Sequence, residues 1–292
     1  MMFHLFDRRA FFLTLLVLFV SCPSALVKSA EDSTGGIPRD AVLFEIAGLE
    51  NVKLYAAGNS LYTEIKVAAD DASLKIPRLA NVVQSIRWQS IPDTMISLQP
   101  EPDHWIIRHG KPPAADGDVL IINLDAPPLI FDGSVVTRVT KEGLIFLPAK
   151  LATTAGENLR YEPQPHKNTV GYWSNVKATA EWKLSTSQKG LYEIDILQGC
   201  GTGHGGSTVD MQIGNESRSF VVEETGHFQN FVWKTVGTVE LPVNETITLK
   251  LVPKSKPGGA VMDVRAVRLS RPGTQRSFES ELAAPDALPK KQ

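Results

Sequence analysis

The sequence predicts an all-β protein: two antiparallel, jelly-roll-like β-sandwiches in tandem behind an N-terminal export signal. Three observations carry that expectation. From Ala41 onward, apolar and β-branched residues alternate in short runs, the period-two pattern of half-buried strands. These runs are bounded by Gly, Pro, Asn and Asp, with 22 Gly and 19 Pro spread along the chain, so turns are frequent. No segment keeps an apolar stripe at helical spacing for three turns, which leaves an antiparallel sandwich as the architecture that fits.

Length and composition set the outer bounds. A chain of 292 residues allows one large domain or two ordinary ones at roughly 100–200 residues each. Hydrophobic residues at 42% and charged residues at 21% describe a globular protein and disfavour both disorder and a polytopic membrane protein. The formal net charge of -2 offers no basic field for a phosphate backbone, so no nucleic-acid partner is expected.

The N-terminus has the layout of a secretory signal peptide over residues 1–30. Arg8 and Arg9 precede an apolar run from Phe11 to Val20, broken only by Thr14, and small or turn-forming residues follow from Ser21 to Ala30. That run falls short of the roughly 20 residues needed to span a bilayer. The paired arginines also resemble a twin-arginine export signal. An extracytoplasmic location, secreted or periplasmic, follows. Val20-Ser21-Cys22 resembles the end of a lipoprotein signal, with Phe19 where an aliphatic residue is usual, so lipid anchoring at Cys22 is the lesser alternative. Once Cys22 is removed, Cys200 has no partner, which excludes a disulfide-stapled fold and a thiolate metal cage.

In the first sandwich, residues 37–146, the expected strands are Val42 to Ile46, Val52 to Ala56, Tyr62 to Val67, Val83 to Trp88, Thr94 to Leu98, Trp105 to His109, Val119 to Leu124 and Val135 to Val139. The second, residues 147–271, contributes Leu159 to Glu162, Ala180 to Ser185, Gly190 to Leu197, Thr208 to Ile213, Arg218 to Glu223, Phe231 to Glu240, Thr246 to Val252 and Val261 to Leu269. Turn signatures at Gln188-Lys189-Gly190, Gly214-Asn215 and Val243-Asn244 punctuate this series. The seam falls around Lys141-Glu142-Gly143 and Leu147-Pro148-Ala149, because Pro cannot donate to a central ladder. Residues 272–292 are rich in Ser, Pro, Ala and charge without β pattern, and read as a tail.

Several short segments of the second half stand in a recognisable order: Leu147-Pro148-Ala149 with Ala152, Leu159 and Tyr161, Gly171-Tyr172-Trp173, Ala180-Glu181-Trp182, Gly190-Leu191-Tyr192, Val239 and Leu241, and Met262-Asp263-Val264 with Val267 and Leu269. Together they resemble the galactose-binding-like β-sandwich of carbohydrate-binding modules. More faintly, Ile86-Arg87-Trp88-Gln89, Thr94 to Gln99 and Asp118 to Ala126 resemble the small sandwich that follows the barrel of secreted fucosidases. The barrel is absent, so no catalytic residue is implied. The first resemblance implies carbohydrate as ligand and a structural calcium. Asp263 matches the ligand position in the last strand, and Glu157 with Asn158 supplies further oxygens. Lys150 stands where such relatives place a carboxylate, which argues against the ion. No other cofactor is expected.

Chemistry residue by residue points the same way. Gly201, Gly203 and Gly206 make a formal G-x-G-x-x-G, but an alternating run from Ser207 to Ile213 follows instead of a helix, which removes the dinucleotide reading and leaves a flexible connection with His204 at its tip. None of the six histidines pairs with another at metal-ligand spacing, and there is no H-E-x-x-H, G-x-S-x-G or P-loop. Aromatic rings stack on the apolar face of a pyranose while polar side chains fix its hydroxyls. Tyr172 and Trp173, beside the turn-rich 163–168 stretch, are therefore the candidate sugar contacts, with core packing as the alternative. His204 and His227 are secondary candidates, and Trp182, Tyr192 and Trp233 are assigned to the core. The expected function is a secreted, non-catalytic carbohydrate-binding accessory protein. The rivals are an interaction module docking on a cell-surface or enzyme partner, and a glycosidase-related enzyme with two facing carboxylates.

Overall fold

The computed structural model describes residues 36–46, 52–66, 72–114 and 116–274. The export signal, Cys22 and residues 275–292 of the expected tail lie outside the described residues. The N-terminal half contributes β1 (Val42–Phe44), β2 (Leu54–Ala57), β3 (Ser60–Ile65), β4 (Ser73–Pro77), β5 (Val83–Trp88), β6 (Ser97–Pro100), β7 (His104–Arg108), β8 (Asp118–Leu124) and β9 (Val136–Arg138). A five-stranded sheet runs β1-β2-β3-β8-β5, and a three-stranded sheet runs β4-β7-β6. The unbroken apolar run Val119-Leu120-Ile121-Ile122 lies in β8, which pairs with β3 and β5 and is buried on both faces. In β3, by contrast, alternation sends Leu61 and Thr63 inward.

The C-terminal half contributes β10 (Leu144–Pro148), β11 (Thr153–Ala155), β12 (Arg160–Glu162), β13 (Thr169–Gly171), β14 (Thr179–Ser185), β15 (Gly190–Gly199), β16 (Thr208–Ile213), β17 (Glu216–Val221), β18 (Val232–Leu241), β19 (Ile247–Pro253) and β20 (Asp263–Ser270). One sheet runs β12-β13-β20-β15-β18 with β10 also on β20, and the other runs β11-β14-β19-β16-β17 with β9 on β14. A 3-10 turn, Ala149–Leu151, follows β10. Among the described residues no helix is long and apolar enough to cross a membrane.

The all-β expectation holds, with departures in detail. The pairing of β9 with β14 is parallel, so the sheets are not wholly antiparallel, and β9 and β10 join the later sheets although Val136 to Phe146 lie before the expected seam. The strand expected at Thr94 to Leu98 begins at Ser97, because the Thr94 amide closes a turn onto the Ile91 carbonyl at 3.2 Å. Thr153–Ala155 and Thr169–Gly171 are strands too short, at three residues each, to show a period, whereas Ser73–Pro77 does alternate, burying Leu74 and Ile76, and is a strand missing from those expected. Trp182 and Tyr192 are core residues, but Trp233 is only half-buried, with the Arg268 guanidinium 4.1 Å from its ring centre.

The two halves are joined by buried polar contacts. Arg78, from the segment after β4, is 2% exposed and donates to the carbonyls of Ala152 at 2.9 Å and Lys150 at 3.3 Å. Its guanidinium lies 3.9 Å from the ring centre of Phe131 and 5.3 Å from that of Tyr161, within cation–π range. Around it the Val83 amide donates to the Pro163 carbonyl at 2.9 Å, Lys150 pairs with Asp125 at 2.6 Å, and the Tyr161 hydroxyl donates to the Asn81 carbonyl at 3.2 Å. Removing the guanidinium strands two inward carbonyls, each costing about 1–3 kcal/mol when left unpaired. Arg78→Met should therefore lower the stability measured by urea denaturation by at least about 2 kcal/mol; an unchanged midpoint would show that the join does not depend on Arg78.

Candidate functional site

A cleft of about 360 Å³ on the second sandwich is lined by Asn158, Glu162, Lys167, Tyr172, Trp173, Ser174, Phe228, Gln229, Ala260 and Asp263. Its size falls at the lower end of ligand sites. Glu162 ends β12, Lys167 belongs to the β12–β13 turn, and Tyr172 to Ser174 follow β13. Phe228 and Gln229 come from the β17–β18 connection, Ala260 from the β19–β20 connection, and Asp263 opens β20.

The two aromatic candidates part company at the end of β13. Tyr172 has φ +59°, a left-handed conformation that costs a bulky residue roughly 1–2 kcal/mol. This turn points consecutive side chains apart. Tyr172 is 50% exposed at the cleft, whereas Trp173 is 1% exposed and donates its indole N–H to the Ala178 carbonyl at 3.1 Å. The Val261 amide donates to the Trp173 carbonyl at 2.8 Å, holding the turn to the strand end. Tyr172 is backed by Arg160, whose guanidinium stands 3.6 Å from the ring centre, with the Lys167 ammonium at 5.6 Å. Trp173 therefore belongs to the wall and core, and Tyr172 offers the accessible ring.

The floor is acidic. Glu162 is 3% exposed and Asp263 5% exposed, and Lys167 forms an ion pair with Glu162. Burial, and secondarily the charge of Glu162, pushes the Asp263 carboxyl well above its ordinary range; Lys167, a hydrogen bond from the Gln229 amide and Arg265 pull the other way. Arg265 is the extra residue of a bulge, since Leu197 pairs with Ala266 and Gln198 with Val264. The bulge re-aims its guanidinium onto the Lys167 and His166 carbonyls at 2.6 and 2.9 Å and over the Phe231 ring at 3.9 Å.

The histidine candidates lie outside the lining. His204 is half-buried rather than exposed at a loop tip: its ring packs on Phe228 at 5.2 Å and its Nδ1 accepts the Ala260 amide at 3.1 Å. It supports two lining residues from behind. His227 is exposed, and its Nδ1 accepts the Gln229 amide at 3.1 Å. The Gly-rich segment leads straight into β16, as its alternation implies. Cys200 is buried, and burial raises its thiol to about 11, which makes it a poor nucleophile.

The calcium suggested by the resemblance finds a poor donor set. Glu157 is exposed and is not part of the lining that contains Asp263. Among the described residues no group of three His, Cys, Asp or Glu side chains could hold a metal ion. Lys150, at the position where a carboxylate was sought, is committed to Asp125.

No protein-family model matches the sequence, and no curated protein matches it. Among solved structures, the chain is similar to an α-L-fucosidase from Vibrio sp. strain EJY3, with 13% identity and a TM-score of 0.34 over 75% of this chain and 39% of the fucosidase. It is also similar to the C-terminal family 6 carbohydrate-binding module of LamC, a laminarinase from Zobellia galactanivorans, with 16% identity and a TM-score of 0.36 over 44% of this chain and 99% of the module. A family 35 carbohydrate-binding module from Clostridium thermocellum shows 11% identity and a TM-score of 0.36 over 43% and 98% of the respective chains.

Asp263 binds its proton more firmly folded than unfolded, so its contribution to stability is complete below its unfolded value of about 3.9 and is lost as the pH rises through the raised folded value. Asp263→Asn should thus raise the melting temperature at neutral pH and leave it unchanged well below about pH 3.9. A melting difference that does not vary with pH would contradict this. Cys200 should resist iodoacetamide in the native state at mildly alkaline pH and react only on unfolding, as read by intact mass.

Proposed function

We propose that the protein is an exported, non-catalytic carbohydrate-binding protein and that the cleft beside Tyr172 is its sugar site. One observation carries the reading: a half-exposed aromatic ring, held out by left-handed backbone, stands at a cleft whose floor bears buried hydrogen-bonding groups. That is the combination a pyranose requires, an apolar face to stack and fixed polar partners for its hydroxyls. Its concavity and polar floor favour a sugar over a protein partner, for which a flat apolar patch would serve. Export rests on the signal-like residues 1–30.

The carboxylate pair is read as a binding element. Lys167 is committed to Glu162, and both carboxyls are almost fully buried. A few hydroxyl contacts plus one stacked ring support weak affinity, roughly micromolar to millimolar.

Affinity electrophoresis against a polysaccharide panel should show retardation of the wild-type protein and its loss in Tyr172→Gly, which removes the ring while relieving the left-handed strain. Trp173→Ala should instead unfold readily, since truncating a buried Trp costs about 3–5 kcal/mol. A wild-type protein that no polysaccharide retards would defeat the reading. Turnover of aryl glycosides that disappears in Glu162→Gln would show an enzyme instead.

A further inference from the structure

Glu162, Lys167 and Tyr172, which line the cleft, belong to one hairpin: Glu162 ends β12, Lys167 lies in the turn, and Tyr172 follows β13 directly. The second sandwich by itself holds this hairpin lightly. Among the described residues β12 is the edge of its sheet and pairs with β13 alone, over three residues. β13 in turn meets β20 at the single pair Val170 and Val264. Beyond that register, Arg265 fastens the turn through the His166 and Lys167 carbonyls, and the Val261 amide holds the Trp173 carbonyl. A two-stranded hairpin is marginally stable without more behind it.

Further fastenings come from the first sandwich, along the outer strand and into the turn. The Arg160 guanidinium faces the Glu101 carboxylate at 3.8 Å, and the Tyr161 hydroxyl donates to the Asn81 carbonyl at 3.2 Å. The Val83 amide donates to the Pro163 carbonyl at 2.9 Å, and the Gln164 side-chain amide donates to the Leu98 carbonyl at 3.3 Å. These contacts bracket Glu162. Arg160 also stands 3.6 Å behind the Tyr172 ring, so Glu101, itself held by the Gln99 amide at 2.6 Å, is one side chain away from the exposed aromatic.

Resting on the carbohydrate reading, we propose that the first sandwich is a working part of the sugar site: it holds the β12–β13 hairpin in its binding conformation, so that Tyr172, Glu162 and Lys167 meet the sugar already ordered. Ordering one such side chain at the moment of binding costs roughly two- to tenfold in affinity. Glu101 and Gln164 are positioning residues in this scheme, and neither lines the cleft.

The test uses the full chain. Glu101→Gln removes the charge facing Arg160, Gln164→Leu removes the donor to the Leu98 carbonyl, and the double variant removes both. Ile213→Val, in β16, trims the core of the second sandwich away from the hairpin and reports what destabilisation alone does. Each protein is followed by thermal melts, by hydrogen exchange over residues 160–173 read by mass spectrometry, and by affinity electrophoresis in gels containing xylan, galactomannan, mixed-linkage β-glucan or pullulan.

The expected result, well below the melting transition, is faster exchange over residues 160–173 and an affinity about two- to tenfold weaker in the double variant, with neither change in Ile213→Val. Affinity that stays at the wild-type value in the double variant overturns the inference even where exchange rises, and so does an equal loss in Ile213→Val. If Tyr172→Gly abolishes retardation while the double variant migrates as the wild type does, the sugar site stands and the role of the first sandwich falls. A wild-type protein that none of these gels retards counts against the carbohydrate reading and against the role resting on it.

Discussion

The burial of β20 is the constraint on which the second half depends. All eight residues from Asp263 to Ser270 are buried, with β15 along one side and β10 and β13 along the other. A strand in that position cannot leave charge on solvent, so each ionisable group on it must be met inside the protein. Arg268 takes Asp195 at 2.9 Å and lies over Trp233; Arg265 takes two backbone carbonyls and lies over Phe231. Asp263, at the end of the strand, opens onto the cleft, where it meets Gln229 and Glu162. Asp263 is the residue of this buried strand that lines the cleft.

Arg78 does comparable work between the halves. A guanidinium supplies several donors in a plane, so one side chain satisfies two carbonyls of the β10–β11 connection while its faces pack against Phe131 and Tyr161. Lys150 adds to this join through Asp125.

Much of the architecture was legible before any coordinates. Val83–Trp88 and Thr208–Ile213 are strands at the residues where alternation placed them. The rejection of a dinucleotide loop at Gly201 to Gly206 followed from the strand pattern after it. The site was legible only in part. Tyr172 was visible as an aromatic residue beside a turn-rich stretch, but Trp173 was indistinguishable from it, because which neighbour faces outward depends on the sign of one φ angle. Glu162 and Lys167 gave no signal. They lie 101 and 96 positions from Asp263 in the chain, and a carboxylate at a strand end reads as an ordinary solvated residue. His227 lay one position from the lining residue Phe228, and His204 proved to be a support behind it.

The sequence by itself determined the class of fold, the frequency of turns and the absence of familiar catalytic spacing, because these depend on periodicity and local backbone preference, which are written in neighbouring residues. Tertiary structure alone decided that β9 joins the second sandwich in parallel, that Arg78 binds the halves, and that Glu162, Lys167, Tyr172 and Asp263 share one cleft. Those outcomes depend on which distant strands pair and in what register. Many sequences with the same alternation satisfy that condition in different ways, and only the packed chain selects one.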